Sequence, residues 1–360
     1  ADGIERDVRL AIGISEKILR QIVLEGHEVA KKLRGKSQRR KYGYVKKLYD
    51  QYLSIFSSLR DELPVNYEFF MRFYYAEVLF QRGDFLEAAR NYDAVVALNS
   101  NPETDRERKL LEAAAEEAVR AYDDYIAMAE RRKPMKIRGT KPRTIPQVKK
   151  DLISACDRYI RLIGGKGDKI VPIRYKVARV YYTYNHFDKA APAFDDIVKN
   201  HPKSDVACYS ANLTLDIYNG LKDYESLRDV AFAYIENTEL SCGEKERKAI
   251  QRIGEKAAFK VIKSTLEDTR MYGEAARAYS GYRERFPGGE LADDALYNAA
   301  VNFGLNGQEN KAQKVRELLV EQYPESDLVP DTLFSMGASA DRLLDFEGAA
   351  SRFELFAERY

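Results

Sequence analysis

Apolar residues recur three and four positions apart along almost the whole chain, and strand-like alternation bounded by turns is absent. Val45, Leu48, Tyr52, Phe56 and Leu59 mark one face and predict a helix over about 40–62. A longer unit is built from the same spacing. In QRGDFLEAARNYDAVVAL (81–98) a small turn at Gly83-Asp84 is followed by Phe85, Ala88, Tyr92 and Val95. NHFDKAAPAFDDIV repeats this with Phe187, Ala190, Phe194 and Ile197, and RMYGEAARAYSGY with Tyr272, Ala275, Tyr279 and Tyr282. LDFEGAASRFELF repeats it with Phe346, Ala349, Phe353 and Phe356. KDYESLRDVAFAY puts Leu227 at the alanine position, and GQENKAQKVRELL keeps Ala312 and Leu319 but writes Arg316 for the aromatic. Ala275, Ala312 and Ala349 are 37 residues apart.

Offsets of 0, +4 and +7 lie on one helical stripe. A small alanine lets two helices approach, and the larger residues fill the groove beside the contact. Pro202, Pro287 and Pro324 follow five residues after the stripe and end each hairpin. The Ser, Asp or Glu behind each proline is expected to cap the next helix. Thus ERFPGGELADDAL (284–296) and EQYPESDLVPDTL (321–333) each close one helical pair and open another.

These residues resemble the tetratricopeptide repeat family, over about 68–360. The matches are the Gly-Asp-aromatic turn, the alanine, the aromatic four positions on and the closing proline. Gly337, Ala76, Ala178 and Ala300 sit at the family's small first-helix position, whereas its first-helix Trp is missing because the chain has none. The resemblance implies an all-α, right-handed superhelical solenoid of antiparallel helix pairs, about seven repeats over 64–360. Residues 1–63 read as an N-terminal helical hairpin that caps the stack and buries its apolar face on the first repeat. A basic, extended loop over 131–147 interrupts the pattern, which resumes at Ala155, Tyr159 and Leu162.

At 45% hydrophobic and 32% charged, the chain is neither disordered nor membrane-embedded, and no run of about 18 apolar residues exists. It opens without Met and ends where another proline would follow, so it reads as a piece of a longer protein. The net charge of +2 is unevenly spread: residues 31–47 and 131–150 each hold nine Lys/Arg and no acid, which leaves the rest acidic. Arg39, Arg40, Lys41, Arg131, Arg132, Lys133, Lys136, Arg138, Lys141 and Arg143 form the candidate basic patch. It reads as a solvated face, a dock for an acidic protein or anionic envelope surface, or, least favoured, a nucleic-acid contact.

No HExxH, P-loop, GxSxG or GxGxxG is present. His27, His186 and His201 are scattered, and the last two read as satisfied surface groups. Gly164-Gly165-Lys166-Gly167-Asp168 reads as a linker. Cys208 and Cys242 lie about one repeat apart, near enough in that frame to bond, but buried free thiols are the expected state of all three cysteines. No catalytic residue, metal site or cofactor is expected.

Binding is the better reading. In the family's frame the fifth first-helix position faces a concave groove: Phe73, Tyr175, Asn212, Lys260, Tyr297 and Phe334 here. Arg179 and Asp216 follow one turn on, with Tyr182 and Tyr209 nearby. Aromatic area plus Arg and Asn suits an extended peptide or a helix. The family's chaperone carboxylate clamp wants Lys, Asn, Asn, Lys and Arg, and Tyr175/Arg179, Asn212/Asp216 and Lys260/Ser264 do not supply them. The Tyr-Pro-x-Ser grammar and 37-residue spacing resemble the subclass found in bacterial envelope proteins such as outer-membrane-assembly lipoproteins and the Tol–Pal coordinator. That implies a non-catalytic protein–protein scaffold of the periplasm or cell envelope, serving biogenesis, division or surface motility. The alternatives are a cytosolic adaptor using the basic segments on nucleic acid or an acidic regulatory partner, and an enzyme whose catalytic domain lies beyond residue 360.

Overall fold

The computed structural model describes residues 2–360 apart from 64, 99–101, 133–138 and 166, with the side chains of 2–4 and 132 also left out of the description. The fold is all-α, with no strand among the described residues. The chain forms two compact units, Ala1–Lys189 and Ala190–Tyr360.

The first unit holds α1 (Asp2–Lys32), α2 (Gly35–Phe56), a 3-10 turn (Arg60–Glu62), α3 (Glu68–Arg82), α4 (Phe85–Leu98), α5 (Asp105–Arg132), α6 (Gln147–Leu162) and α7 (Ile170–Thr183). The unit boundary falls in the first turn of α8 (Phe187–Asn200). The second unit continues with α9 (Ala207–Leu221), α10 (Tyr224–Glu236) and α11 (Glu244–Ile262), which runs into a π turn, Lys263–Glu267. It ends with α12 (Tyr272–Arg285), α13 (Ala292–Leu305), α14 (Glu309–Gln322), α15 (Val329–Arg342) and α16 (Phe346–Arg359). From α1 to α7, and again from α9 to α16, each helix packs on its neighbours in sequence. That nearest-neighbour pattern is how a stacked repeat is held.

The stripe explains the packing. Ala88, Tyr92 and Val95, then Ala190, Phe194 and Ile197, then Ala275, Tyr279 and Tyr282 are all buried, none more than 4% exposed. Ala312, Leu319 and Ala349 are buried too, and Ala76, Ala178 and Ala300 occupy the small first-helix positions at 0–2% exposure. At Gly337 an added Cβ would stand 2.7 Å from the Phe353 ring, so only glycine admits that ring against α15. Arg316 is buried as well: its guanidinium donates to Glu309 Oε1 at 2.7 Å, and Ser339 donates its hydroxyl to the same oxygen. Where the stripe lacks its aromatic, an ion pair within α14 takes its place, and the Ser339 hydroxyl ties that pair to α15.

The predicted helix over 40–62 is placed at Gly35–Phe56, followed by the separate 3-10 turn. It begins early because Gly35 takes φ 58° and turns the chain sharply out of α1. α1 and α2 form an antiparallel pair fastened by Tyr52, which donates to the buried Glu16 at 2.5 Å. Tyr49 stacks on Tyr75 with ring centres 5.4 Å apart and joins the pair to α3.

Two expectations are corrected. Cys208 and Cys242 are bonded to each other, and only Cys156 is a free, buried thiol among the three. The sequence separation of one repeat brings the first turn of α9 beside the loop ahead of α11, with the Cα atoms 5.1 Å apart. Next, Ser204 and Ser326 do not cap helices. Each accepts from the backbone N–H two residues on, Val206 and Leu328, tightening the turn before the helix starts. The described end of the basic loop has no regular secondary structure and is docked. Ile145 is buried, Asn185 donates to the carbonyls of Gly139 and Lys141, and Arg143 donates from its backbone to Tyr184 and from its side chain to Thr183. Asn185 reaches them because its own backbone is left-handed, φ 61°.

Candidate partner-binding cleft

In the second unit, α9, α11 and the start of α10 enclose a cleft of about 660 Å³. Leu215, Leu227, Ile253, Ala257 and Leu291 supply its apolar surface. Two polar stripes line it. On α9, Asn212, Asp216 and Asn219 lie at offsets of 0, +4 and +7; on α11 and its π turn, Lys256, Lys260 and Lys263 have the same offsets. Lys256 pairs with Glu290 at 2.6 Å, and Lys263 with Asp268 at 3.2 Å. Lys260 has a different setting: its ammonium stands 4.7 Å from the centre of the Tyr224 ring, with no carboxylate in ion-pair range among the described residues. Such a cation is available to an incoming acid.

α11 continues without a break into the π turn, Lys263–Glu267. Tyr279 on α12 donates to Glu267 at 2.5 Å, which anchors the turn that carries Lys263. Gly254 permits close contact of α11 with α10; a Cβ there would come within 3.1 Å of Ala231.

The disulfide is tied to the cleft through Asn212. Asn212 donates to the carbonyl of Cys208 at 3.0 Å. Across the bond, Ser241 donates its N–H to Pro202 O at 2.9 Å and its hydroxyl to Ser204 O at 2.8 Å. Arg247 donates to the carbonyls of Ile235, Asn237, Thr238 and Leu240, gathering the loop that leads into α11. Tyr323 makes a bond of the same kind two helix pairs later, donating to Pro287 O at 2.8 Å. The helix-ending prolines therefore also offer the carbonyls on which the next turn hangs.

The structure brings Asn212, Asp216 and Lys260 together and scatters the other candidates. Phe73 is not a groove residue: it is 8% exposed, with its ring against Tyr92 in the core. Tyr175 is half-buried beneath Arg179, which donates to its hydroxyl at 3.5 Å, and Tyr182 packs on Phe187. Tyr209 is exposed on α9 but does not line the cleft. Tyr297 packs into the cluster around Leu296 and Leu333, and Phe334 is exposed against Phe353 and Phe356. In the basic patch, Arg39, Arg40, Arg131 and Lys141 are exposed, Lys41 leans over Tyr44, and Arg143 is engaged by the loop. Lys133, Lys136 and Arg138 lie outside the described residues, as does the side chain of Arg132. His186 Nε2 lies 2.9 Å from Arg143 O, a satisfied group. Asn219, Lys256 and Lys263 were missed by the fifth-position rule. The lysine spacing of four and three along α11 was the available signal.

No group of three or more His, Cys, Asp and Glu that could hold a metal is found among the described residues. Among them no helix is long and apolar enough to cross a membrane.

Antiparallel helix pairs stacked in sequence order, with a polar-rimmed cleft between first helices, define a helical-repeat interaction fold. Within it, residues 294–326, spanning α13, α14 and the turn to Ser326, match the sequence model of the tetratricopeptide repeat family. Similar solved structures include a tetratricopeptide repeat protein from Parabacteroides merdae, at 13% identity over 82% of this chain and 94% of that one, TM-score 0.33. The TPR domain of P58(IPK) is 15% identical over 94% and 93%, TM-score 0.31. The C-terminal part of a TPR repeat-containing protein from Cytophaga hutchinsonii is 15% identical over 72% and 99%, TM-score 0.29. No curated protein matches in sequence.

Proposed function

We propose that this chain is a non-catalytic scaffold that grips a partner protein in the cleft between α9 and α11. The observation that carries this is Lys260, with no carboxylate in ion-pair range among the described residues, set in a cleft of about 660 Å³ with an apolar floor and opposite an Asn-Asp-Asn stripe. An extended segment or helix that presents aliphatic side chains and an acid to that cleft would bury its apolar face and meet the lysine. We place the protein in the bacterial envelope. The Tyr-Pro-x-Ser grammar supports this, and so does the Cys208–Cys242 bond, because such bonds persist in oxidising compartments. Immobilised chain should capture a partner from an envelope extract, and Lys260→Glu with Lys256→Glu should lose it while unfolding at the same denaturant concentration. Equal capture by both would overturn the cleft. Recovery of the native chain from the cytosol, with Cys208 and Cys242 open to alkylation, would overturn the envelope placement.

A further inference from the structure

The first unit holds a second pocket, of about 440 Å³, between α1, α3 and the start of α5. Three cations line it, and each lies over an aromatic ring. The Arg20 guanidinium is 3.6 Å from the centre of Tyr67, that of Arg106 is 5.2 Å from Phe70, and the Lys31 ammonium is 6.0 Å from Tyr74. Arg20 is held by Glu16 at 2.8 Å, and Lys31 by Glu28 at 3.1 Å with Glu77 at 4.0 Å. Glu28 is the one acid lining the pocket. Arg106 is exposed and has no carboxylate in range among the described residues, so it is the cation of the three that is open to an incoming anion.

His27 also lines this pocket and is only 2% exposed. Its Nδ1 lies 3.0 Å from the Tyr49 hydroxyl, and its Nε2 is buried with no hydrogen-bond partner. A buried polar nitrogen left without a partner is costly, and a ligand atom could relieve that. Burial first, then the nearby Lys31, push the imidazole's pKa down to about 4, so the ring is neutral at pH 7. In the tautomer in which Tyr49 donates to Nδ1, the proton sits on Nε2 and that atom donates to a ligand.

We infer that this pocket binds a small oxyanion, a carboxylate or a phosphate ester, attached to a flat apolar body. The guanidinium of Arg106 and the imidazole N–H of His27 take the oxyanion. The rings of Phe70 and Tyr74, with Leu24 and Met71, take the body. The inference stands independently of the cleft in the second unit.

The chain has three histidines, so a ring ¹H–¹⁵N spectrum of ¹⁵N-histidine-labelled protein resolves His27 from His186 and His201. Benzoate and phenyl phosphate are the probes, added separately. Either should shift the His27 nitrogens saturably at millimolar concentration, leaving the other two rings in place. Arg106→Ala, which breaks no ion pair, should weaken binding about tenfold. A response to benzoate alone assigns a carboxylate, to phenyl phosphate alone a phosphate ester, and to both the shared oxyanion. His27 unmoved by either probe, or moved with equal affinity in Arg106→Ala, would overturn the site.

Discussion

Removing the Cys208–Cys242 bond should cost stability without changing the folded geometry. The bond spans a sequence separation of 34 residues. By chain entropy, closing a loop of that length restricts the unfolded chain by about 4 kcal/mol. The folded loop has its own fastenings in Arg247 with its four carbonyls, and in Ser241 with Pro202 and Ser204. Those survive reduction, so the loss falls on the unfolded state. Guanidinium unfolding, followed by circular dichroism with and without reductant, should show a lower midpoint on reduction. The double variant Cys208→Ser/Cys242→Ser should match the reduced protein and be indifferent to reductant. A thiol count checks the premise: denatured, unreduced chain should react once, at Cys156, and reduced chain three times. In the folded protein Cys156 should not react, because burial pushes its thiol up to about 12. Three reactive thiols before reduction, or a midpoint indifferent to reductant in the wild type, would refute the reasoning.

Other perturbations have equally definite outcomes. His27 is protonated in the unfolded chain below pH 6.5 but stays neutral in the folded protein down to about 4. The unfolded state therefore binds the extra proton in that window, and stability should fall by about 3 kcal/mol as pH drops through it. His27→Phe should remove that slope from denaturant midpoints measured between pH 4 and 7, and a ring titrating near 6.5 by NMR would contradict it. Arg316→Ala strands the Glu309 carboxylate and should cost about 3 kcal/mol in chemical unfolding, with Arg316→Leu/Glu309→Ala costing less than that single change. Gly337→Val drives a side chain into Phe353 and should cost about 1–3 kcal/mol; a stability equal to wild type would show that α16 yields freely.

Much of the repeat was legible because its signal is local. Ala275, Tyr279 and Tyr282 share a stripe whatever lies around them, and Pro287 and Pro324 cannot extend a helix. The groove was less legible because it depends on frame. In EFFMRFYY the aromatics Phe69, Phe70, Phe73, Tyr74 and Tyr75 fall on every face of α3, so spacing cannot separate core from surface. The structure buries Phe73 and puts Phe70 and Tyr74 on a pocket wall. On α9 and α11 one face is clearly polar, and there the spacing and the structure put Asn212 and Lys260 on the same cleft. The docking of Arg143 on Thr183 and Tyr184 joins residues far apart in sequence, which periodicity does not encode, whereas the repeat spacing brought Cys208 and Cys242 within reach without deciding that they bond.

The cleft between α9 and α11 is tested most directly by photocrosslinking in the native organism. A photoreactive amino acid replaces Asn219, which lines the cleft, or Asp229, exposed on α10 and outside it. Illumination should yield a discrete partner adduct from position 219, lost when Lys260→Glu is added, and none from position 229. An adduct from 229 alone, or one from 219 that persists with Lys260→Glu, would contradict the account.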